Sequence, residues 1–455
     1  RFIGSNAFSG CKLLTSVTIP EDVIEIGAGA FEGCRSLSSI TIPESVEWVG
    51  YQAFSGCTSL SVEDGVRYAD TYLVMAMSKT LTQCTIKKGT RFIGDYAFSG
   101  CRSLASVTIP DSVTEIGAYA FNGCKSLSRV EIPDDVTAIG YYAFANCTSL
   151  TNVTLPEDIE KIGNNAFYNC TSLPIADGIR YADTYLVAAM SKSAPMYTIK
   201  PNTRFIGSDA FSGCKMLTSI VIPDDVIEIG HSAFSGCKLL AEVTLPKSLK
   251  SVGNRAFAYC TSLAGITLPN GVESIGEGAF NHCTSLVGIS LPNSVTEVGE
   301  EAFSYCTSLS KAVLSNNITE LRRQLFVKCT SLMDIVIPNS VTDVEEYVFS
   351  GCTSLTKVTL SNKVASLSTG MFYGCSALSD ITIPNSVDEI KSNAFAGCSS
   401  LATISLPYSV GEIGASAFSG CKSLTEIYCA ATFPPIIGAG AFAGKVAERQ
   451  FYVPE

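Results

Sequence analysis

Hydrophobic positions along the chain recur every 23 residues. One complete unit begins at Cys101 and reads CRSLASVTIPDSVTEIGAYAFNG. In its first part Leu104, Val107 and Ile109 alternate with small polar residues, a pattern typical of a β-strand. Pro110 follows, and because proline has no N–H to donate, it is expected to end the pairing.

The second part of the unit predicts two further short segments. Val113 and Ile116 form another apolar pair, and Gly117 permits a turn. Ala120 and Phe121 are expected to close the coil in a single helical turn. Each coil has one strongly apolar side that it cannot bury alone, so neighbouring coils must stack.

Cysteine and phenylalanine show how far the period extends. Seventeen of the 19 cysteines keep it, with Cys84 and Cys429 as the exceptions, and a phenylalanine lies three residues before each of the seventeen. A fixed period of this length is the signature of a solenoid. Roughly eighteen coils about 4.8 Å apart would form a rod on the order of 85 Å long. The predicted fold class is α/β: one solenoid over residues 1–455, with one parallel strand and a short helical turn per coil.

Two matching inserts interrupt the period. The gaps from Cys57 to Cys101 and from Cys170 to Cys214 are 44 residues, and they contain DGVRYADTYLVMAMSK at 64–79 and DGIRYADTYLVAAMSK at 177–192. Apolar alternation around Ala-Asp-Thr predicts a β-hairpin attached to the rod in each insert, about 61–90 and 174–203. The chain starts with RFIG, in mid-coil, so residue 1 is not expected to be the natural N-terminus.

The repeat resembles the BspA-like leucine-rich repeats. Their pattern of LxxIxIP, VxxIGxxAF and GCxSL is present at 104–110, 113–121 and 123–127, with departures at Ser315, Ser361 and 322–326. IYCAATFPP at 427–435 and FYVP at 451–454 resemble the family's closing unit, predicted over about 425–455. The resemblance implies a right-handed curved solenoid. It also implies a secreted or surface-displayed adhesion module of a host-associated organism.

Charge and composition narrow the functions further. The net charge is −11 and the pI about 4.9, with no run of Lys or Arg, which argues against nucleic acid as a partner. No apolar stretch approaches the roughly 20 residues of a membrane span. With two His, one Trp and no catalytic motif, we expect neither an enzyme nor a cofactor.

The cysteine ladder has two interpretations. Closely stacked thiolates could bind soft metals or undergo redox chemistry. Against this, the sequence has no CxxC pair and no histidine in the ladder. Buried thiols also pack as small hydrophobic groups. We therefore expect reduced thiols with a structural role.

The outward positions of the strand are the default binding face, expected to be concave. Most are Ser or Thr, which also suits a solvated ladder without a ligand. The charged and aromatic exceptions are the candidate binding residues: Arg129, Glu131, Lys311, Lys357 and Tyr428.

Tyrosines provide a second candidate surface. Tyr96, Tyr119 and Tyr142 precede the alanine of three successive coils, as a recognition patch or as a half-buried structural ladder. The hairpins are expected to protrude and to present four more tyrosines to a ligand: Tyr68, Tyr72, Tyr181 and Tyr185.

An acidic edge follows the prolines in the N-terminal half and changes to asparagine beyond Lys247. Its residues include Asp111, Asp134 and Asp224. Such an edge could bind calcium or a basic partner, or simply form solvated turns.

The sequence thus predicts a non-enzymatic module that binds host or neighbouring-cell proteins through its concave face, its tyrosine column and its hairpins. Two alternatives stay open. One is a spacer that presents another domain, and the other is a glycan-binding module, disfavoured by the single tryptophan, Trp48. The oligomeric state is not predicted.

Overall fold

The computed structural model describes residues 1–431, 433–444 and 449–453, and each repeat forms one coil of a parallel β-solenoid of about 19 coils. The chain divides into two compact units, Arg1–Val187 and Ala188–Glu455. The prediction of one solenoid domain over the whole chain therefore stays a prediction.

Most coils contain two short strands, one more than expected. In the representative coil these are Ser106–Thr108 and Glu115–Ile116. The first pairs in parallel with Gln83–Thr85, and the second pairs in parallel with Ala138–Ile139. Stacked coils therefore build a main ladder from the first strands and a second ladder from the second strands, and both keep their apolar side chains inside.

In the first unit the main ladder consists of Ser16–Thr18, Ser39–Thr41, Gln83–Thr85, Ser106–Thr108, Arg129–Glu131 and Asn152–Thr154. Its second ladder consists of Phe2–Ile3, Glu25–Ile26, Trp48–Val49, Phe92–Ile93, Glu115–Ile116, Ala138–Ile139 and Lys161–Ile162. The strands of the two inserts are Val62–Glu63, Val66–Ala69 and Tyr72–Ala76, then Ile175–Ala176, Ile179–Ala182 and Tyr185–Ala189.

In the second unit the main ladder consists of Ser219–Val221, Glu242–Thr244, Gly288–Ser290, Lys311–Val313, Asp334–Val336, Lys357–Thr359, Asp380–Ile381, Thr403–Leu406, Glu426–Cys429 and Gln450–Tyr452. Its second ladder consists of Phe205–Ile206, Glu228–Ile229, Ser251–Val252, Ser274–Ile275, Glu297–Val298, Glu320–Leu321, Asp343–Val344, Ser366–Leu367, Glu389–Ile390, Glu412–Ile413 and Ile436–Ile437.

The predicted helical turn is wrong, and the described residues contain no helix. Tyr119 donates its N–H to the Tyr141 carbonyl (2.9 Å) and Phe121 donates to Ala143 (2.7 Å), both in the next coil. Asn122 instead donates to the Tyr119 carbonyl, three residues back (3.1 Å). Tyr119 also has a φ of 57°, outside the helical region. Alternate N–H groups thus serve the neighbouring coil, which makes the fold an all-β solenoid and not an α/β one.

A phenylalanine ladder runs through the core. Phe98, Phe121 and Phe144 are fully buried, and successive rings stack with centroids 5.1 and 5.0 Å apart. The cysteine of each coil lies beside this ladder and is buried from Cys34 to Cys421. Each interface between coils therefore buries the apolar side that a single coil cannot cover.

Both inserts form antiparallel strands, as their alternation predicts. In the first, Val66–Ala69 pairs with Tyr72–Ala76, and Tyr72 then pairs in parallel with Phe92 of the second ladder. Asp70, in the hairpin turn, accepts the N–H of Ile42 through its carboxylate (2.8 Å). The hairpin thereby caps a strand end whose N–H would otherwise bond to the following coil.

Serine replaces the expected proline at two positions without a loss of order. Ser315 and Ser361 are fully buried, and their hydroxyls donate to the carbonyls of Val295 (2.7 Å) and Val341 (2.6 Å). Each buried hydroxyl therefore has a partner, as burial of a polar group requires.

The C-terminal segment continues the main ladder where it is described. Glu426–Cys429 pairs in parallel with Thr403–Leu406 on one side and Gln450–Tyr452 on the other. Thr432, residues 445–448 and residues 454–455 lie outside the described residues, so the predicted closing motifs are followed only in part. Nowhere in the described ranges is there a helix with the length and hydrophobicity of a transmembrane span.

Candidate functional site

Three tyrosines form a stacked column on the surface of the first unit. The Tyr96 and Tyr119 rings lie 4.9 Å apart with planes 2° from parallel, and the Tyr119 and Tyr142 rings lie 5.1 Å apart at 3°. All three residues have positive φ, between 53° and 57°, so the same unusual backbone conformation aims each ring along the column. A left-handed conformation is costly for a bulky residue, and ring stacking offsets part of that cost.

Two further tyrosines close the ends of the column. Tyr51 meets Tyr96 edge to face at 6.1 Å, with its hydroxyl 2.9 Å from the Tyr96 hydroxyl. Tyr168 meets Tyr142 edge to face at 6.3 Å, and Asn165 donates its side-chain N–H to the Tyr142 hydroxyl (3.1 Å). Sequence reasoning missed Tyr51 and Tyr168 because neither occupies the position before the coil alanine. We call Tyr51, Tyr96, Tyr119, Tyr142 and Tyr168, together with Tyr141, the tyrosine surface.

The ring faces that can contact a ligand belong to the flanking residues. In the central stack each face of Tyr119 lies against a neighbouring ring, and the outer faces of the stack are met by Tyr51 and Tyr168. Tyr51, Tyr141 and Tyr168 have exposed fractions of 41%, 54% and 56%. The structure thus combines the two interpretations of the column, with a structural centre and exposed flanks.

Two hydroxyls of the tyrosine surface, those of Tyr51 and Tyr119, have a raised pKa. The hydrogen bond to Tyr96 raises the pKa of Tyr51, and burial adds to that shift. Burial also raises the pKa of Tyr119. The surface combines hydroxyl groups with ring area, the combination that protein-recognition surfaces commonly use.

A cavity of about 200 Å³ adjoins the Tyr96 end of the column. Its lining residues are Gln52, Ser55, Gly56, Tyr72, Val74, Met75, Asp95 and Tyr96.

Two acidic groups lie at this end of the surface. The Asp95 carboxylate accepts the N–H groups of Gln52 and Ala118, both at 2.7 Å. Burial nonetheless raises the pKa of Asp95, because it disfavours the charged form more than these bonds favour it. Burial, followed by the charge of Asp95, raises the pKa of Glu115 to about 7.

The hairpin tyrosines are in the core, which contradicts the prediction that they form a protruding recognition surface. Tyr68, Tyr72, Tyr181 and Tyr185 are all at most 4% exposed. Tyr72 packs against Phe54 with ring centroids 5.1 Å apart. Tyr185 packs against Phe167 in the same way, with ring centroids 5.5 Å apart. Because all four side chains are buried, a ligand cannot reach them in this structure.

The charged residues of the main ladder form a regular pattern in the second unit. Lys311 lies opposite Asp334, Asp334 opposite Lys357, and Lys357 opposite Asp380 in successive strands. Opposite charges at directly paired positions stabilise a sheet. The ladder therefore accounts for Lys311 and Lys357 without a ligand, and their role in binding stays a prediction.

Arg129 and Glu131 pair with each other on one strand of the first unit. The Arg129 guanidinium lies 3.6 Å from the Glu131 carboxylate, and both side chains are mostly exposed. An ion pair this exposed contributes little to stability. Its binding role also stays a prediction.

Tyr428 has an aromatic neighbour that sequence reasoning missed. Its ring stacks on Tyr452 with centroids 4.6 Å apart, and its hydroxyl donates to a Glu426 carboxylate oxygen (3.0 Å). The two rings lie on the exposed side of the main ladder because their strands pair in register, with Tyr428 opposite Tyr452.

A second aromatic stack, also missed, lies in the second unit. The His282 ring lies between Tyr259 and Tyr305, with centroids 4.5 Å from each. All three residues have φ near 60° and occupy the position before the coil cysteine, where glycine is common. Burial lowers the pKa of His282, and the charge of Glu301 opposes that shift. The signal was present in the sequence as an aromatic triplet at 23-residue spacing.

One groove of the second unit is lined by charges that pair with one another. It has a volume of about 460 Å³ and includes Glu277, Glu320 and Arg322 in its walls. Arg322 contacts Glu320 at 2.6 Å and Glu345 at 3.0 Å, and Glu277 contacts Arg255 at 3.4 Å. Arg322, one of the residues that depart from the repeat pattern at 322–326, is therefore held by two acidic partners.

The geometry of the cysteine ladder favours the packing interpretation. The Cys124 thiol donates to the Phe98 carbonyl (3.2 Å) and the Cys147 thiol to the Phe121 carbonyl (3.2 Å), and the same bond recurs along the ladder. All the cysteines are free thiols. Burial raises the pKa of Cys124 to about 12, so this thiol stays protonated and unreactive. Within the described ranges, no three His, Cys, Asp or Glu residues are grouped as a metal site.

Turn capping accounts for part of the edge that was considered for calcium. Asp225 accepts the N–H of Asn202 (3.2 Å). In the asparagine half, Asn293 accepts the N–H of Asn316 (2.9 Å) in the next coil. These side chains therefore act as turn residues, and calcium binding there stays untested.

Comparison with known proteins identifies the repeat. The family model of the BspA type leucine rich repeat region matches residues 1–65, 74–181, 204–333 and 320–447. No curated protein matches the sequence.

Solved structures of bacterial leucine-rich repeat proteins are similar to the chain. A protein from Bacteroides ovatus is 27% identical, with 100% of this chain and 87% of that chain covered and a TM-score of 0.41. A protein from T. pallidum is 32% identical over 38% of this chain and 82% of that chain, with a TM-score of 0.34. A leucine rich cell surface protein from Faecalibacterium prausnitzii is 25% identical over 94% and 82%, with a TM-score of 0.22. On the family match, which spans most of the sequence, this chain belongs to the BspA type leucine-rich repeat family.

Proposed function

We propose that this chain is a non-enzymatic module, displayed on a cell surface or secreted, that binds a protein partner through the tyrosine surface of its first unit. The supporting observation is the set of exposed rings of Tyr51, Tyr141 and Tyr168, of which Tyr51 and Tyr168 are fixed by edge-to-face contacts to the central stack. The exposed side of the main ladder, including Tyr428, adds a broader and weaker contact area. The family resemblance supports the extracellular location.

Rigidity is what makes the tyrosine surface suitable for recognition. Aromatic anchors carry much of the binding energy in protein interfaces. Here the anchors are held by ring contacts and by hydrogen bonds such as Tyr51 to Tyr96, so few side-chain rotamers are lost on binding. The main ladder, in contrast, presents mostly Ser and Thr, which seldom act as energetic centres of an interface.

A binding screen tests this function. The purified, folded chain is passed over immobilised host matrix proteins and mucin glycans, with and without calcium. Saturable binding to a protein is the expected result. Binding only to glycans would replace the proposal with a lectin function. If the folded chain binds nothing on the panel, a role as a spacer is favoured.

A further inference from the structure

The cavity beside Tyr96 combines apolar walls with a carboxylate. Val74, Met75 and the Tyr72 ring form its apolar part, while Asp95 and Gln52 supply polar groups. Its volume of about 200 Å³ corresponds to one large side chain. Long basic side chains have the matching chemistry, with an apolar stem and a cationic head.

Two backbone N–H groups hold Asp95, and no ion pair to it is formed within the described residues. The N–H groups of Gln52 and Ala118 fix the carboxylate, and each oxygen still has acceptor capacity. Arg91 is engaged elsewhere, since its guanidinium donates to the carbonyls of Pro43 (3.1 Å) and Val46 (2.6 Å). Glu115 adds a second acidic group whose charge acts together with that of Asp95.

The charge of the whole first unit acts in the same direction. Residues 1–187 contain 13 Lys and Arg against 20 Asp and Glu, a net charge of −7. Such a charge attracts basic segments over distances of about a Debye length, roughly 8 Å at physiological salt. A basic partner is therefore complementary both to the unit and to the cavity.

We propose that this cavity receives an arginine or lysine side chain of the protein partner, with the cation beside Asp95 and the stem between Met75 and Tyr96. The inference rests on the proposed function, because it names the chemistry of the partner that the tyrosine surface recognises. The corresponding positions of the second insert carry Ser208 and Asp209 in place of Asp95 and Tyr96, so the sequence provides this combination once.

Basic model peptides test the proposal. Fluorescence anisotropy measures the Kd of labelled nona-arginine and nona-lysine for the folded chain at physiological salt, with nona-glutamate as the negative probe. Asp95→Asn removes the charge, and Met75→Trp fills the cavity without changing any charge. Asp111→Asn is the matched control, because it removes one exposed carboxylate of the same unit.

The expected result is a loss of about tenfold or more in affinity for Asp95→Asn and Met75→Trp, as for a charge-assisted bond to a partly buried group. Asp111→Asn should change the Kd by less than about twofold. Equal Kd values for wild type, Met75→Trp and Asp95→Asn would overturn the proposal and leave only diffuse attraction to an acidic unit. If Asp95→Asn fails to fold, as judged by circular dichroism, Met75→Trp decides alone.

The two proposals can fail separately. Cavity-dependent binding of the basic peptides, without any protein bound in the screen, would keep this inference and remove the proposed function. A protein that binds through the tyrosine surface, together with peptides indifferent to Asp95 and Met75, would do the reverse.

Discussion

At the scale of single residues, backbone conformation decides what each side chain can do. The position before the coil alanine has positive φ along the ladder, at Tyr96, Tyr119 and Tyr142 as well as at Asn165 and Glu301. Glycine or asparagine would adopt this conformation most easily. Tyrosine there gains from stacking on a neighbour in the next coil, so the sequence choice is best explained by the column and not by local preference.

Glu115 makes stability depend on pH. Its folded-state pKa of about 7 lies above its ordinary value of 4.5, so its favourable contribution is present below that value and is lost as pH rises through 7. Glu115→Gln should therefore stabilise the first unit above pH 8, by roughly 3 kcal/mol at most, and change little near pH 4.

Thermal or urea unfolding of both proteins across pH 4–9 measures this difference. Burial raises the pKa of Asp95 in the wild type, and Glu115 is not a cause of that shift. The contribution of Asp95 to the pH dependence therefore cancels between the two proteins, and the difference reports on Glu115. A constant difference between the two proteins at every pH would contradict the assignment.

At the scale of the elements, the repeat pattern predicted much of what the structure shows. The strand around Val107, the stop at Pro110 and the stacking of Phe121 all follow from period, proline and burial. The sequence indicates the second strand only as an apolar pair, because two residues are too few for an alternation signal. The helical turn was wrong because Ala120 and Phe121 favour a helix locally, whereas bonding to the next coil is stronger in the stack.

The candidate site was less predictable, because it depends on contacts across the inserts. Tyr51 and Tyr96 are 45 residues apart and meet only when the hairpin takes its place between their coils. Tyr68 and Tyr72 looked exposed because turn-rich inserts usually lie on the surface. Their burial follows from pairing of Tyr72 with Phe92, which places the hairpin inside the second ladder.

The hairpin turn of the first insert should act as a cap. Asp70→Gly removes the acceptor of the Ile42 N–H, while glycine keeps the positive φ that Asp70 has (52°). We expect a loss of about 1–2 kcal/mol in the free energy of unfolding and faster amide exchange at Ile42. Asp70→Asn keeps an acceptor and should behave nearly as wild type. Unchanged exchange at Ile42 in the glycine variant would show that the cap has no role.

At the scale of the whole molecule, nearest-neighbour contacts carry the stability. Each coil bonds to the next through two ladders, the turn segment and the core stack, so damage at one interface is expected to stay local. The described structure divides into two compact units, and each has its own surface chemistry. The first carries the tyrosine surface, and the second carries the alternating charge ladder.

The alternating charges of the main ladder predict that reversing one of them lowers the stability of the second unit. Lys357→Glu places three acidic residues in a row, with Asp334 and Asp380 on either side. We expect a destabilisation of about 1 kcal/mol, smaller at high salt. Lys422→Glu, an exposed change of the same charge outside the ladder, is the control for net charge, and unfolding in urea measures both. Equal effects of the two changes would refute the pairing.

The measurement that tests the central claim most directly compares two variants of the tyrosine surface, one that keeps the aromatic rings and one that replaces them with an aliphatic side chain. Tyr51→Leu, Tyr141→Leu and Tyr168→Leu are combined in one variant, and the three corresponding Phe changes in another, so that both lose the hydroxyls and only one loses the rings. Surface plasmon resonance on the protein partner captured in the screen gives both affinities. The account predicts a loss of less than about threefold for the Phe variant, which loses the Tyr51–Tyr96 hydrogen bond but keeps the rings, and a loss of about tenfold or more for the folded Leu variant. Equal binding by the two variants would contradict it.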